Sequence, residues 1–202
     1  MIRIGIVVGS TRVHRRGKAV ADWVMDTARR FGPSGVEFEL LDLTAFDLPV
    51  LDEPAPALYG VFVHEHTRRW ATAIGSFDGY VFVTAEYNHG VPGALKNAVD
   101  YLFYEWNDKA AGFVSYGVDG GVRAVEQLRQ IAAELKLADV RAQVALNTYT
   151  DFDYAGLDPA DPATTGVFAP APRHAERLAE LLGQVVSWSS ALATVRTARD
   201  AA

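Results

Sequence analysis

Five short apolar runs, each ending in a loop rich in glycine or polar residues, alternate with five stretches of helical period along these 202 residues. That alternation restricts the chain to few topologies, because parallel strands need crossover helices and the crossovers are right-handed. The first run, Ile4-Gly5-Ile6-Val7-Val8, stops at Gly9-Ser10-Thr11-Arg12. Val20, Trp23, Val24, Thr27, Ala28 and Phe31 then recur at helical spacing as far as Gly32-Pro33. Residues 36–43 set Val36, Phe38 and Leu40 against Glu37 and Glu39, the pattern of a strand near the sheet edge with one face exposed. A Pro-rich loop occupies 44–56, and the spacing predicts a helix over 59–77 with Val63, Trp70, Ile74 and Phe77 inward.

Residues 80–84 read as a strand buried on both faces, followed by a helix with Leu95, Ala98, Val99, Leu102, Phe103 and Trp106 inward. A fourth strand at 109–116 leads to a helix burying Leu128, Ile131, Ala132 and Leu135, and 139–146 supplies a fifth strand. The long 147–172 segment, rich in Asp, Pro and Gly, reads as a surface excursion or subunit arm. Residues 173–195 close the chain with a helix whose inward face is Leu178, Leu181, Leu182, Val185 and Leu192; 196–202 read as a frayed tail. The expectation is an α/β fold in a single domain over 1–202: a doubly wound five-stranded parallel sheet with helices on both faces. In the flavodoxin-like order 2-1-3-4-5 the loops after strands 1, 3 and 4 lie side by side at a ligand crevice.

Those three loops are chemically unusual. In the first, Arg12, His14, Arg15, Arg16 and Lys18 crowd between strand and helix in a chain of net charge -6. The helix start beyond offers free N–H groups to an anion, Ser10 and Thr11 add hydroxyls, and Arg12 or Arg15 can present a planar fork to phosphate. A solvated basic turn is the alternative. A Walker A loop is excluded because seven residues separate Gly9 from Gly17-Lys18, and a dinucleotide fingerprint because Thr11 and His14 stand where glycines are needed. The second loop is Thr84-Ala85-Glu86-Tyr87-Asn88-His89-Gly90, and the third runs Ser115-Tyr116-Gly117-Val118-Asp119-Gly120-Gly121. A phosphate nest, a polar and aromatic segment and a glycine-rich segment in one crevice match flavin mononucleotide (FMN). Tyr87 and Asn88 alternatively form a simple turn with Gly90.

The acidic balance argues against a nucleic-acid or anionic-membrane binder. No apolar run approaches the roughly 18 residues of a membrane span, and no secretory pattern opens the chain, so a cytoplasmic location is expected. Cysteine is absent, which removes disulfides and thiolate chemistry and leaves redox work to a bound cofactor. No metal site is expected: His64 and His66 lie at i, i+2, off the spacing of helical zinc pairs, and read as solvated. Asp151, Asp153 and Gly156 hint at a calcium loop, but Ala155 and Pro162 occupy positions that need oxygen ligands.

Four segments together resemble the NADPH-dependent FMN reductase family of flavodoxin-like proteins, which includes quinone, azo and chromate reductases. They are Gly9-Ser10-Thr11-Arg12 with Arg15 and Gly17; Asp47-Leu48-Pro49 with Asp52-Glu53; Glu86-Tyr87-Asn88 with the run from Pro92 through Lys96-Asn97 to Asp100; and Tyr116-Gly117 with Gly120-Gly121. The resemblance implies noncovalent FMN, with its phosphate at Ser10, Thr11, Arg12 and the turn of Arg15, Arg16 and Gly17. It places the ring at Glu86, Tyr87, Asn88, Ser115, Tyr116, Gly117, Gly120 and Gly121. It further implies NADPH or NADH as hydride donor, a small-molecule electron acceptor, and a homodimer or dimer of dimers. Three positions depart from the family's pattern: Ala85 replaces a usual Pro, Gly90 a common Ser, and Val13-His14 a frequent Pro-Gly. Lys96 and Asn97 alternatively cap or solvate their helix, and the aromatic stretch 101–106 reads as core plus subunit interface. Hydride transfer needs no acid or base side chain, so no catalytic residue is nominated. The rival reading is a non-enzymatic FMN electron carrier or sensor on the same architecture.

Overall fold

β1 (Ile2–Val8) is flanked by β2 (Val36–Asp42) on one side and β3 (Gly79–Ala85) on the other, and β4 (Lys109–Gly117) and β5 (Leu137–Asn147) complete a parallel sheet of order β2-β1-β3-β4-β5. This computed structural model describes residues 1–158, 160, 161 and 163–200. Val8 pairs with Val83, Val83 with Val114 and Val114 with Val144, so the carboxyl ends of the strands are level and their loops adjacent. β3 is buried along its whole length and β4 almost so, whereas β2 alternates because it lies at the edge.

Each face of the sheet carries its own apolar layer. α1 (Gly17–Phe31) and α5 (Pro172–Asp200) cover one face with Val20, Val24, Leu178, Leu181, Leu182 and Val185. α2 (Glu65–Gly75), α3 (Gly93–Asp100) and α4 (Val122–Glu134) cover the other with Trp70, Ile74, Leu95, Ala98, Val125 and Leu128. By length and composition α5 passes for a membrane span, but its buried leucines lie in the sheet's own core.

Several elements differ from the sequence reading. The helix expected over 59–77 begins at Glu65, because the Glu53 carboxylate accepts the N–H groups of Val63 and His64 and holds them extended; Val63 is half-exposed. With His64 outside the helix, its ring stacks on His66 at 5.1 Å and both imidazoles face Asp52, so this pair shares a carboxylate and is not simply solvated. α3 stops at Asp100, and Leu102 and Trp106 reach the core from turns. Phe31, at the last position of α1, is exposed.

The 147–172 segment folds back as a short antiparallel ribbon, β6 (Phe152–Asp153) with β7 (Val167–Phe168). Asp151 is buried at its root, accepting from the N–H groups of Asn147 and Ala171, which occupies the carboxylate that hinted at calcium. Pro162, the other residue used against a calcium loop, lies outside the described residues.

The tail expected to fray at 196–202 instead continues α5 to Asp200; residues 201 and 202 lie outside the described residues. Arg196 donates to the Asp108 carbonyl at 2.7 Å and pairs with Asp78, and Arg199 pairs with Asp108 at 2.9 Å. Deleting 196–202 should therefore lower unfolding free energy by about 1 to 3 kcal/mol, the range for hydrogen bonds to charged groups. An unchanged urea midpoint would show that the helix end contributes nothing.

Candidate functional site

A cavity of about 210 Å³ opens at the carboxyl ends of β1, β3 and β4. Its walls come from Ser10, Arg12, His14, Arg15 and Arg16 of the first loop, Ala85, Glu86 and Tyr87 of the second, and Tyr116, Gly117 and Val118 of the third. Thr148, Thr164 and Thr165 close the remaining side.

The first loop is drawn against its neighbours at two glycines. The Gly9 N–H donates to the Val83 carbonyl at 2.9 Å, and a Cβ on Gly9 would come within 2.7 Å of Leu95. A Cβ on Gly17 would stand 2.7 Å from the Tyr116 hydroxyl. Between them, the buried Ser10 hydroxyl shares a 2.7 Å hydrogen bond with the Tyr87 hydroxyl, joining first loop to second.

The basic residues of this loop have separate roles. Lys18 pairs with Asp22 one turn along α1, pointing away from the cavity lining. Arg15 pairs with Asp42 at the end of β2, and its buried Nε has no hydrogen-bond partner. Arg16 donates from Nε to the Thr165 carbonyl at 2.7 Å and from its terminal nitrogen to the Tyr154 hydroxyl at 2.8 Å. Arg12 is exposed on the cavity and makes no ion pair or hydrogen bond among the described residues. Behind it, α1 starts without a side-chain cap and without an acidic residue in its first turn, so its leading N–H groups are open to an anion.

The second loop is a tight turn. Tyr87 and Gly90 exchange two main-chain hydrogen bonds of 3.0 Å, with Asn88 and His89 at φ of 50° and 65°. Asn88 is thereby carried to the exposed tip, outside the lining of this cavity. Glu86 is pinned by Arg123 of α4, through 2.7 Å to the guanidinium and 3.0 Å to the Arg123 N–H. Gln127 accepts from the Val91 N–H at 3.0 Å, and a Cβ on Gly90 would stand 3.2 Å from its amide oxygen.

In the third loop the Ser115 hydroxyl is fully buried and donates to the Gly120 carbonyl at 2.7 Å, so it braces the turn and does not face the cavity. Gly120 and Gly121, both left-handed, make that turn. Thr11 is directed to a neighbouring cavity with Leu43, Thr44, Asp47, Leu48, Ala94, Asn97 and Ala98. Asn97 is more than a helix cap: it donates to the Pro49 carbonyl at 2.6 Å and accepts from the Leu51 N–H at 2.9 Å, tying the Pro-rich loop to α3.

Val118 falls in the third loop as read from the sequence, whereas Thr148, Thr164 and Thr165 in the lining, and Arg123, Gln127 and Tyr154 behind it, were not found there. Tyr116 packs its ring in the core, and burial, with Tyr87 nearby, pushes its phenol up to about 12.

A five-stranded parallel sheet of this order, with its cavity at the carboxyl ends of the strands and a basic first loop, defines a flavodoxin-like protein. The profile of NADPH-dependent FMN reductases matches residues 2–151, and the chain belongs to that family. It is an oxidoreductase of the NAD(P)H- and FMN-dependent kind. An NAD(P)H-dependent FMN reductase of Nectria sp is 39% identical over 158 residues, covering 75% of this chain and 79% of that one. One from Schizosaccharomyces pombe is 36% identical over 181 residues, covering 89% and 84%. A 2-hydroxy-1,4-benzoquinone reductase of Burkholderia sp is 30% identical over 143 residues, covering 67% and 73%. Among solved structures, the flavoenzyme NAD(P)H:(acceptor) oxidoreductase of Paracoccus denitrificans superposes with a TM-score of 0.65 at 22% identity, over 94% of this chain and 98% of that one, a likeness of fold.

The Gly17 contact predicts a paired result. Gly17→Ala should destabilise the protein by about 1 to 3 kcal/mol through overpacking against the phenol, and Tyr116→Phe in that background should recover most of it. Failure of the second change to rescue would place the strain elsewhere. Tyr116 also sets an alkaline limit. Its pKa is raised from 10.0 to about 12, so the stabilisation of its neutral form is complete below the unfolded value and is lost as pH rises through the folded one. Urea unfolding across that window should fall less steeply with pH in Tyr116→Phe than in the parent.

Proposed function

We propose that the chain passes a hydride from NADPH or NADH, by way of noncovalently bound FMN, to a small electron acceptor such as a quinone, a flavin, an azo compound or a metal ion. The observation that carries the reading is the set of unsatisfied donors at one end of the cavity: unpaired Arg12, the partnerless Nε of Arg15 and the uncapped start of α1. Donors without an acceptor, gathered at a helix start, suit the phosphate of FMN. Ser10, Arg12, Arg15 and the Gly17 turn would hold that phosphate, with Arg16 behind them; Ala85, Glu86, Tyr87, Gly117 and Val118 would lie toward the ring. When bound, FMN supplies the redox chemistry, taking up a hydride with its electron pair and giving up two electrons. The protein binds and orients. The Ser10–Tyr87 hydrogen bond and the Glu86–Arg123 pair keep the first and second loops from shifting as nucleotide and acceptor exchange.

The quinone-reducing Burkholderia relative supports a quinone as acceptor. A homodimer belongs to the same reading, as does a cytoplasmic location, where reduced nicotinamide nucleotides are at hand. Tyr101 and Trp106, expected near an interface, are buried within their own chain, so the proposed contact shifts to neighbouring Tyr104 and the exposed apolar loop of Val50, Leu58, Tyr59 and Val61. Light scattering of the FMN-loaded protein at micromolar concentration should give twice the chain mass, and a monomer would remove this contact.

Anaerobic mixing of the FMN-loaded protein with NADPH or NADH should bleach the flavin rapidly and saturably, and a quinone should restore the colour through repeated turnovers. Protein that holds FMN but bleaches with neither nucleotide would leave a carrier or sensor. Arg12→Ala should weaken FMN by about 1 to 3 kcal/mol and riboflavin hardly at all. Equal affinity of the parent for FMN and riboflavin would overturn the phosphate assignment.

A further inference from the structure

Beyond residue 151, where the family profile ends, the chain returns to the cavity from a distance of nearly the whole sequence. The returning arm is not loosely laid on the surface. Phe152 is buried and its ring lies 5.0 Å from Phe168 across the β6–β7 ribbon, while Trp23 of α1 meets Phe168 edge-on at 5.6 Å. Arg16 sits 5.6 Å and 5.7 Å from the Phe152 and Tyr154 rings, with its guanidinium bonded to the Tyr154 hydroxyl and the Thr165 carbonyl. Thr164 donates its hydroxyl to the Asp158 carbonyl at 2.6 Å and its N–H to the Asp161 carbonyl at 2.9 Å, fixing the turn that leads into Thr165.

Among the described residues the Thr165 hydroxyl has no hydrogen bond, and Thr165 lines the cavity that Arg12 also lines. A hydroxyl with no partner of its own, in a cavity that also holds an unpaired guanidinium, can donate to an oxyanion. We infer that Thr165 is a ligand-contacting residue, supplied by the arm, that donates to the phosphate of FMN, and that Arg16 and Tyr154 are positioning residues that hold it there. The inference rests on the reading of this cavity as the FMN site. It gives Arg16 a different role from direct phosphate binding: two of its donors already hold the arm, so its charge reaches the phosphate mainly as a field and its hydrogen bonds act through Thr165.

The test is the rate at which FMN leaves the loaded protein, followed by recovery of free-flavin fluorescence after large dilution, together with the ratio of FMN to riboflavin affinity. Thr165→Val keeps the shape and removes the hydroxyl. It should speed FMN release about tenfold and lower the ratio by a similar factor, one charge-assisted hydrogen bond's worth, with riboflavin affinity unchanged. Thr165→Ser should restore both values. Tyr154→Phe, which touches only the bond to Arg16, should shift both in the same direction by less, and circular dichroism checks that each variant is folded. Parent-like release and ratio in Thr165→Val, while Arg12→Ala loses phosphate-dependent affinity, would overturn the role of the arm and leave the FMN site standing. No change of ratio in either variant would remove the phosphate site itself, and the inference with it.

Discussion

The cavity depends on how closely the first loop can approach the ends of β3 and β4, and two missing side chains set that distance. At Gly9 the main chain is hydrogen-bonded to Val83 and pressed against Leu95; at Gly17 it meets the Tyr116 hydroxyl. Neither glycine needs a left-handed conformation, so their reason is space. Because the loop is held down at both ends, Ser10 reaches Tyr87, and the start of α1 is aimed over the strand ends and not out to solvent. The loops are then braced: Ser10 joins first to second at Tyr87, Glu86 ties the second to Arg123 at the start of α4, and Ser115 holds the third to itself at Gly120.

Within that frame, charge is sorted by pairing. A sequence of five clustered bases carries no information on which one meets a ligand. The structure separates them by the acidic or carbonyl oxygen each can reach: Asp22 for Lys18, Asp42 for Arg15, the arm for Arg16. Of the arginines on the cavity wall, Arg12 is the one left without a partner among the described residues. An arginine already satisfied by the protein gains little from an anion, whereas an unpaired one exchanges only water for it, so the pairing decides where affinity arises.

The order of strands and helices was legible because buried strands and crossover helices leave strong apolar periods, and β2 announced its edge position by alternating with glutamates. The first turn of α2 was misread because periodicity cannot see Glu53, eleven residues before His64, taking the N–H groups a helix would have used. Arg123, Gln127, Tyr154 and Thr165 were illegible for a related reason: each acts on a loop far away in sequence, as Thr165 does on Arg16 across 149 positions. The three departures from the family pattern also resolve locally. His14 adopts φ of 55°, the conformation a glycine would take there, so the loop keeps its turn. Ala85 is restrained by its pairing with Tyr116 instead of a proline ring, and the contact Gly90 makes room for is filled by Gln127.

The opposite end of the sheet makes the contrast that singles out the carboxyl end. There Arg3 is bonded to Glu37, Glu39 and the Ser76 carbonyl, Arg196 to Asp78 and the Asp108 carbonyl, and buried Lys109 to the Ile74 and Gly75 carbonyls and the Tyr80 hydroxyl. Burial pushes the Lys109 amine down to about 7, but three oxygens around Nζ favour its charged form, and two of them are terminal carbonyls of α2. A cation so placed closes a helix end and has no donor left for a ligand. Both ends of the sheet therefore gather positive charge, and they differ in whether the chain itself provides the counter-groups. Where it does, the charge holds α2 and α5 to the sheet; where Arg12 and the start of α1 are left open, the same chemistry is available to a molecule from outside.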